Sequence, residues 1–207
     1  MTLTNICTIN NGVDVKALHQ ATPIDRRTIG SDDAKFVVVM VAGFREAKDQ
    51  DTLIRMMGLL PREKYELWLV GDGVRRGELE RLIESLRLGG SVRLLGMRMD
   101  VPNILRAADV VVMSSHWEGL SLSNIEGMSV GKPFVASDVN GLREVTEGYG
   151  ILFPHGDEKA LADIIVRLSQ DEDYYQQVAR RCYERARQFD ISKMVEAYNA
   201  VYEETCS

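Results

Sequence analysis

Residues 116–133 read HWEGLSLSNIEGMSVGKP, with two glutamates, Glu118 and Glu126, separated by seven residues. Glu118 follows closely on the apolar run DVVVM, and Gly119 directly after it lets a ligand approach the backbone. A carboxylate there either lies against a ligand or hydrogen-bonds the amides of its own loop. Glu126 also has two readings. Ser123-Asn124-Ile125-Glu126 fits a capping box, in which Ser123 starts a helix and the carboxylate folds back onto its amide. Pointed outward instead, Glu126 would accept hydrogen bonds from a vicinal diol such as ribose. Between the two acids, Gly119, Leu120, Ser121, Leu122 and Ser123 offer helix N-terminal amides, which with the helix dipole favour an anion such as phosphate.

Two cations could serve the same anion. Lys48 stands in GFREAKDQDTLI just before a helix start, where a cation faces the positive end of the dipole at a cost of roughly 0.3–1 kcal/mol. An anionic ligand would reverse that sign; the alternative is a solvated loop charge. Arg45 lies three residues upstream in the same loop. Gly71 and Gly73 form a glycine turn after an apolar run and would permit close approach of a nucleotide, although the stretch is not GxGxxG. At Gly96-Met97-Arg98, backbone groups of Met97 and Arg98 could pair with a base edge. His116 and His155 have no carboxylate or cysteine partner at useful spacing and read as isolated and non-catalytic. No nucleophile elbow, phosphate-binding Walker loop or zinc spacing occurs.

The elements that must position these residues alternate in type. Apolar, β-branched runs at 35–42, 66–70, 92–95, 109–113, 134–136 and 150–153 read as strands buried on both faces. Amphipathic stretches at 51–60, 78–88, 101–107 and 123–130 read as the intervening helices. This pattern implies an α/β, Rossmann-like, doubly wound parallel sheet of about six strands, with helices on both faces and a C-terminal helical tail. In such sheets ligands bind outside the carboxyl ends of the strands. Every candidate residue above lies in or beside a segment following a strand. From 159 onward three helices are expected, at 159–169, 173–187 and 192–204. Residues 5–9 read as a short strand and 21–33 as a polar linker. The expected organisation is an N-terminal segment and linker (1–33), a nucleotide-binding domain (34–190) and a crossover helix (191–207).

The totals set further bounds. The chain has 207 residues, a net charge of −6 and no long basic stretch, which argues against a nucleic-acid partner. Cys7, Cys182 and Cys206 are scattered and unlike a metal site, as in a reduced, cytoplasmic protein. No apolar run approaches the roughly 20 residues that span a bilayer. The N-terminus lacks signal-peptide features.

Taken in order, these residues resemble a known family. EGLSLSNIE is similar to the paired-glutamate element of the retaining, nucleotide-sugar-dependent glycosyltransferases of family 4, which have the two-Rossmann-domain GT-B fold. FREAKDQDTLIR, LVGDGVRRGELE, VRLLGMRMDVPNILRAADVVVMSSHWEGL, GMSVGKPFVASDVNGLREV and YGILFPHGDEKALADII support it, together covering 37 to about 165. The resemblance implies that Glu118 contacts the donor sugar near the reacting centre and that Glu126 holds the ribose hydroxyls. It implies that the amides of Gly119 to Ser123 and the ammonium of Lys48 stabilise the departing diphosphate, with Met97 and Arg98 bordering the base. No metal or other cofactor is implied, since cations and a helix terminus replace one.

Two departures qualify the resemblance. The family's phosphate-binding arginine is replaced by Gly43, with Arg45 two residues on as the substitute. The length corresponds to the C-terminal, donor-binding half alone, so the N-terminal, acceptor-binding domain is the expected missing partner. The chain is then a truncated form or a stand-alone module, and the isolated half is expected to bind nucleotide weakly without turnover. The parent would transfer a hexose, from a UDP-sugar by preference, to a glycan or lipid-linked acceptor, with any membrane association residing in that parent. Met194, Val195, Tyr198, Val201 and Tyr202 would form a partly exposed face on the last helix. The competing expectations are a non-catalytic interaction domain of the same fold and a nucleotide-sugar 2-epimerase.

Overall fold

A computed structural model describes residues 7–206 of the chain. Its centre is a strand of uninterrupted branched and long apolar side chains, β1 (Phe36–Val41), in which Val37, Val38 and Val39 are wholly buried. An all-apolar strand requires cover on both faces, and the sequence supplies it by alternating strands with helices. The further strands are β2 (Tyr65–Val70), β3 (Val92–Gly96), β4 (Val110–Met113), β5 (Phe134–Ser137) and β6 (Ile151–Phe153). All pairings are parallel, in the spatial order β3-β2-β1-β4-β5-β6. The expected six-stranded, doubly wound sheet is therefore present.

This order creates the binding geometry. The chain winds outward from β1 through β2 to β3, then returns to the other side of β1 to lay down β4. The loops leaving β1 and β4 thus part at a topological switch point, where a crevice opens at the carboxyl edge. Lys48 is on the first loop and Glu118 on the second.

The helices are α1 (Val15–Gln20), α2 (Gln50–Met57), α3 (Arg76–Ser85), α4 (Val101–Ala107), α5 (Leu122–Ser129), α6 (Leu142–Thr146), α7 (Glu158–Gln170), α8 (Glu172–Ala186) and α9 (Ile191–Cys206). α7 starts where Asp157 accepts from the amides of Lys159 and Ala160 and buries Leu161, Ile165 and Leu168. These positions share one helical stripe.

The sequence reading missed α1 and α6. Each has only five or six residues, too few for a period to repeat, yet each buries two apolar side chains, Val15 and Leu18 or Leu142 and Val145. The expected strand at 5–9 is not formed over 7–9, and its first two residues lie outside the described range. Pairing occurs later, where Val13 bridges Asp190. The segment 21–33, expected as a linker, is docked on the sheet. It carries a single 3-10 turn, Arg26–Ile29, and Arg26 donates to the carbonyls of Ala107 and Lys35 and to Asp109. The stretch reads as a linker because the partners of its arginine lie up to 83 residues away.

On α9, Val195, Tyr198 and Tyr202 are exposed, while Met194 and Val201 are half-buried. Among the described residues, no helix is long and apolar enough to cross a membrane.

Candidate functional site

The two residues singled out for chemistry meet. Lys48 ends a 3-10 turn, Glu46–Lys48, and its Nζ forms an ion pair with Glu118 Oε1. Ser115 Oγ donates to the same carboxylate oxygen at 2.7 Å. Glu118 is 9% exposed and Lys48 22%. A carboxylate so enclosed needs compensation, and the ammonium and hydroxyl provide it. Lys48 thereby escapes the unfavourable dipole of α2, its charge being offset by an acid from the neighbouring loop.

The surrounding backbone is tied together. The amide of His116 donates to Ala47 O at 2.9 Å, and Ser114 Oγ donates to Asp49 O at 2.7 Å. Ser137 Oγ donates to Ser115 O at 2.6 Å, which adds the loop after β5. Gly141, at φ +82°, presses against the same loop: a Cβ there would lie 2.1 Å from Glu118 O. Only glycine permits that approach.

Beside the ion pair is a hollow of about 360 Å³ lined by Gly43, Arg45, Lys48, Asp72, Gly73 and Val74. An adjoining one of about 650 Å³ shares Arg45 and Val74. Among the described residues, the Arg45 guanidinium has no hydrogen bond or ion pair. It lies over Gly43: a Cβ on Gly43 would be 3.8 Å from Arg45 Nε. An unpaired guanidinium thus occupies the place from which a side chain at position 43 would extend.

Gly71 and Gly73 are explained by packing of the loops. A Cβ on Gly71, at φ +138°, would lie 2.1 Å from Ala42 O, and one on Gly73 would lie 2.5 Å from Phe44 O. The two glycines let the loop after β2 rest on the loop after β1, and Gly73 also lines the hollow. Met97 follows β3 and is 84% exposed. Arg98 is held by both carboxylate oxygens of Asp100, at 2.8 and 2.7 Å, so its guanidinium is committed beside the loop. That pairing raises the Arg98 pKa and lowers that of Asp100.

Of the two readings of Glu126, the capping box is not formed. The N-cap of α5 is Ser121, two residues earlier than expected, and no side chain caps this end. Ser123 lies inside the helix, and Glu126 occupies its fifth position. Among the described residues Glu126 has no hydrogen-bond partner. It is half-buried, and desolvation raises its pKa. Leu120, Ser121, Leu122 and Ser123 lead into the uncapped end, and Gly119 is open, a Cβ there meeting nothing within 4 Å. A carboxylate stripped of water without a partner is destabilising in its charged form. Because its folded pKa is raised, the free protein gains stability at acid pH and loses it as pH rises through that shifted pKa. Glu126→Gln is therefore expected to stabilise the ligand-free chain above the shifted pKa and not below it, a difference read from urea titrations at acid and neutral pH.

A further cavity, of about 580 Å³, lies at the amino ends of β1, β2 and β4 and is lined in part by Arg26, Lys35, Lys64 and Asp109. Its arginine already makes three hydrogen bonds, one of them to Asp109, and ligands of open α/β sheets bind at the opposite edge. The carboxyl edge is thus the better candidate.

One expectation about side chains fails outright. His116 and His155, read as isolated, face each other: Nδ1 of His116 is 2.5 Å from Nε2 of His155, which is 3.8 Å from Asp49 Oδ2. Spacing along the chain concealed this, since 39 residues separate the histidines. The usable signal was that both follow strands ending at the same edge.

Comparison with known proteins places this geometry. The family model described as "Glycosyl transferases group 1" matches residues 21–189. The chain is 30% identical over 179 residues to the UDP-Gal:alpha-D-GlcNAc-diphosphoundecaprenol alpha-1,3-galactosyltransferase of Escherichia coli, covering 81% of this chain and 46% of that one. It is 26% identical to the N-acetyl-alpha-D-glucosaminyl L-malate synthase of Bacillus anthracis, covering 96% of this chain and 53% of the relative. Among solved structures, Anabaena Alr3699/HepE in complex with UDP-glucose superposes with a TM-score of 0.86 at 29% identity, over 95% of this chain and 57% of that chain. The chain spans about half the length of the curated relatives it matches.

Proposed function

Because the chain belongs to the group 1 glycosyl transferases, we propose that it is the donor-binding half of a two-domain GT-B enzyme that transfers a hexose, with retention, from a UDP-sugar to a glycan or lipid-linked acceptor. The observation that carries this reading is the meeting of Lys48 and Glu118 at the switch point, beside the unpaired Arg45. The UDP-glucose complex of the Anabaena protein supports the choice of donor.

In this reading the diphosphate takes the hollow beside Lys48 and Arg45, with the uncapped end of α5 offering amides at Gly119 to Ser123. When the bond from the anomeric carbon to the diphosphate oxygen breaks, the electron pair stays on the diphosphate. The two cations and the helix terminus meet that charge without reorganising, so no metal is required on the diphosphate. Glu118, held by Lys48 and Ser115, faces the sugar. Glu126 accepts from the ribose hydroxyls, which relieves its unpartnered burial, while Met97 and Arg98 border the base and Gly71 and Gly73 shape the adjoining wall. The acceptor is held by a second Rossmann domain, packed near the exposed face of α9. The enzyme works in the cytoplasm, and the half described here binds nucleotide weakly and does not turn over alone.

Titration calorimetry with UDP checks the assignment of Glu126. Glu126→Ala is expected to lose about 10- to 100-fold in affinity, as for hydrogen bonds to a charged group; equal binding by both proteins contradicts it. A non-catalytic nucleotide-binding role is the second reading, favoured by glycine at position 43. Activity on supplying an N-terminal half would exclude it.

A further inference from the structure

Two imidazole nitrogens and one carboxylate oxygen converge beside the candidate donor site. They belong to Asp49, His116 and His155, and all three lie within 4.8 Å of one another. The loops after β1, β4 and β6 supply one each. We propose that these residues form an open, three-ligand binding site for a divalent transition-metal ion of the zinc class, distinct from the diphosphate hollow.

The donor set decides the class. Imidazole suits zinc, nickel and copper, whereas magnesium and calcium prefer oxygen alone. Two histidines with one carboxylate, and a fourth position left to water, form a familiar zinc arrangement. A tetrahedral ion at roughly 2.0–2.2 Å from its ligands sets neighbouring donor atoms about 3.3 Å apart. The observed separations, 2.5 Å between the imidazoles and 3.8 Å from His155 to Asp49, fall on either side of that value. His116 is half-buried and His155 exposed, so small ring rotations equalise them.

Asp49 is held in place as the N-cap of α2, its side chain accepting from the Thr52 amide. It is 6% exposed and adopts a left-handed backbone at φ +47°, unusual for a residue with a side chain. The Thr52 hydroxyl donates to Asp49 Oδ2 at 2.6 Å and the Thr52 amide to Oδ1 at 3.3 Å. Such outer bonds orient a ligating carboxylate and leave a lone pair on Oδ2. A hydrogen bond between the two rings would account for the histidines alone, and capping of α2 through Oδ1 accounts for the fixed aspartate, but neither requires Oδ2 to face the histidine pair. The ion would clamp the loops carrying Lys48, adjacent to Asp49, and Glu118, two residues beyond His116.

The test uses untagged, chelator-treated full chain, with zinc titrated by calorimetry and cobalt by absorption. One ion per chain is expected, with a visible ligand-field spectrum and an increase in melting temperature that chelator reverses. His155→Ala and His116→Ala/His155→Ala should each weaken binding by at least about 100-fold. Both side chains are accessible, so these variants are expected to keep the circular dichroism of the parent. Absence of binding, a thiolate-to-cobalt charge-transfer band, or unchanged affinity in the double variant would overturn the proposal.

Discussion

Replacing Lys48 with alanine is expected to weaken UDP binding by about 100-fold while leaving uridine binding nearly unchanged. A charge-assisted hydrogen bond to a phosphate oxygen contributes roughly 1.5–3 kcal/mol, which alone gives about 10- to 150-fold. The ion pair adds to this. In the free chain Lys48 neutralises Glu118, a carboxylate only 9% exposed. Without the ammonium, any negative charge on that carboxylate faces the diphosphate uncompensated. Lys48→Ala/Glu118→Gln should therefore bind UDP more tightly than Lys48→Ala alone, by about tenfold, or roughly 1.4 kcal/mol. Calorimetry on the four proteins of the cycle measures the coupling. If the double variant binds more weakly than Lys48→Ala, the pair does not act on the anion in this way.

The second large effect concerns the arginine. Arg45→Ala is expected to lower UDP affinity about tenfold, the value of one charged contact at a partly open site. Adding Gly43→Arg should restore most of it. The backbone at Gly43 lies outside the left-handed region, and a Cβ there meets nothing nearer than Asp72 O at 3.7 Å. An arginine at 43 would then have room to project into the space that Arg45 vacates. Gly43→Arg in the otherwise unchanged chain would crowd two guanidinium groups and should gain little. Failure of the rescue, with the fold intact, would place the phosphates away from position 43. The same four proteins assayed at two salt concentrations separate direct contact from field effects, which screening weakens.

The fold was legible because its signal is local. FVVVMV and DVVVM declare buried strands by composition, and the alternation with amphipathic stretches fixes their parallel pairing. Lys48 and Glu118 could each be placed at the carboxyl edge for the same reason. That they touch could not be read, because it depends on β4 returning to the side of β1, and strand order is not a local property. The capping alternative for Glu126 arose because Ser123-x-x-Glu126 satisfies a four-residue rule; the helix begins two residues earlier, at an N-cap whose side chain makes no capping bond. The histidine pair was missed for the complementary reason. His116 and His155 have no pattern along the chain and acquire one only when six strand ends are brought to one edge. Arg26 shows the same limit in reverse, its charge satisfied by residues remote in sequence.

The central claim is that the carboxyl edge, at the parting of the β1 and β4 loops, grips a sugar nucleotide. Backbone amide NMR of the labelled chain during a UDP titration tests it directly. The expected shifts fall on Gly43 to Lys48, Gly119 to Ser123 and Glu126, with Met97 and Arg98 responding to the base. Shifts confined to Lys35, Lys64 and Asp109, at the amino edge of the sheet, would contradict the claim.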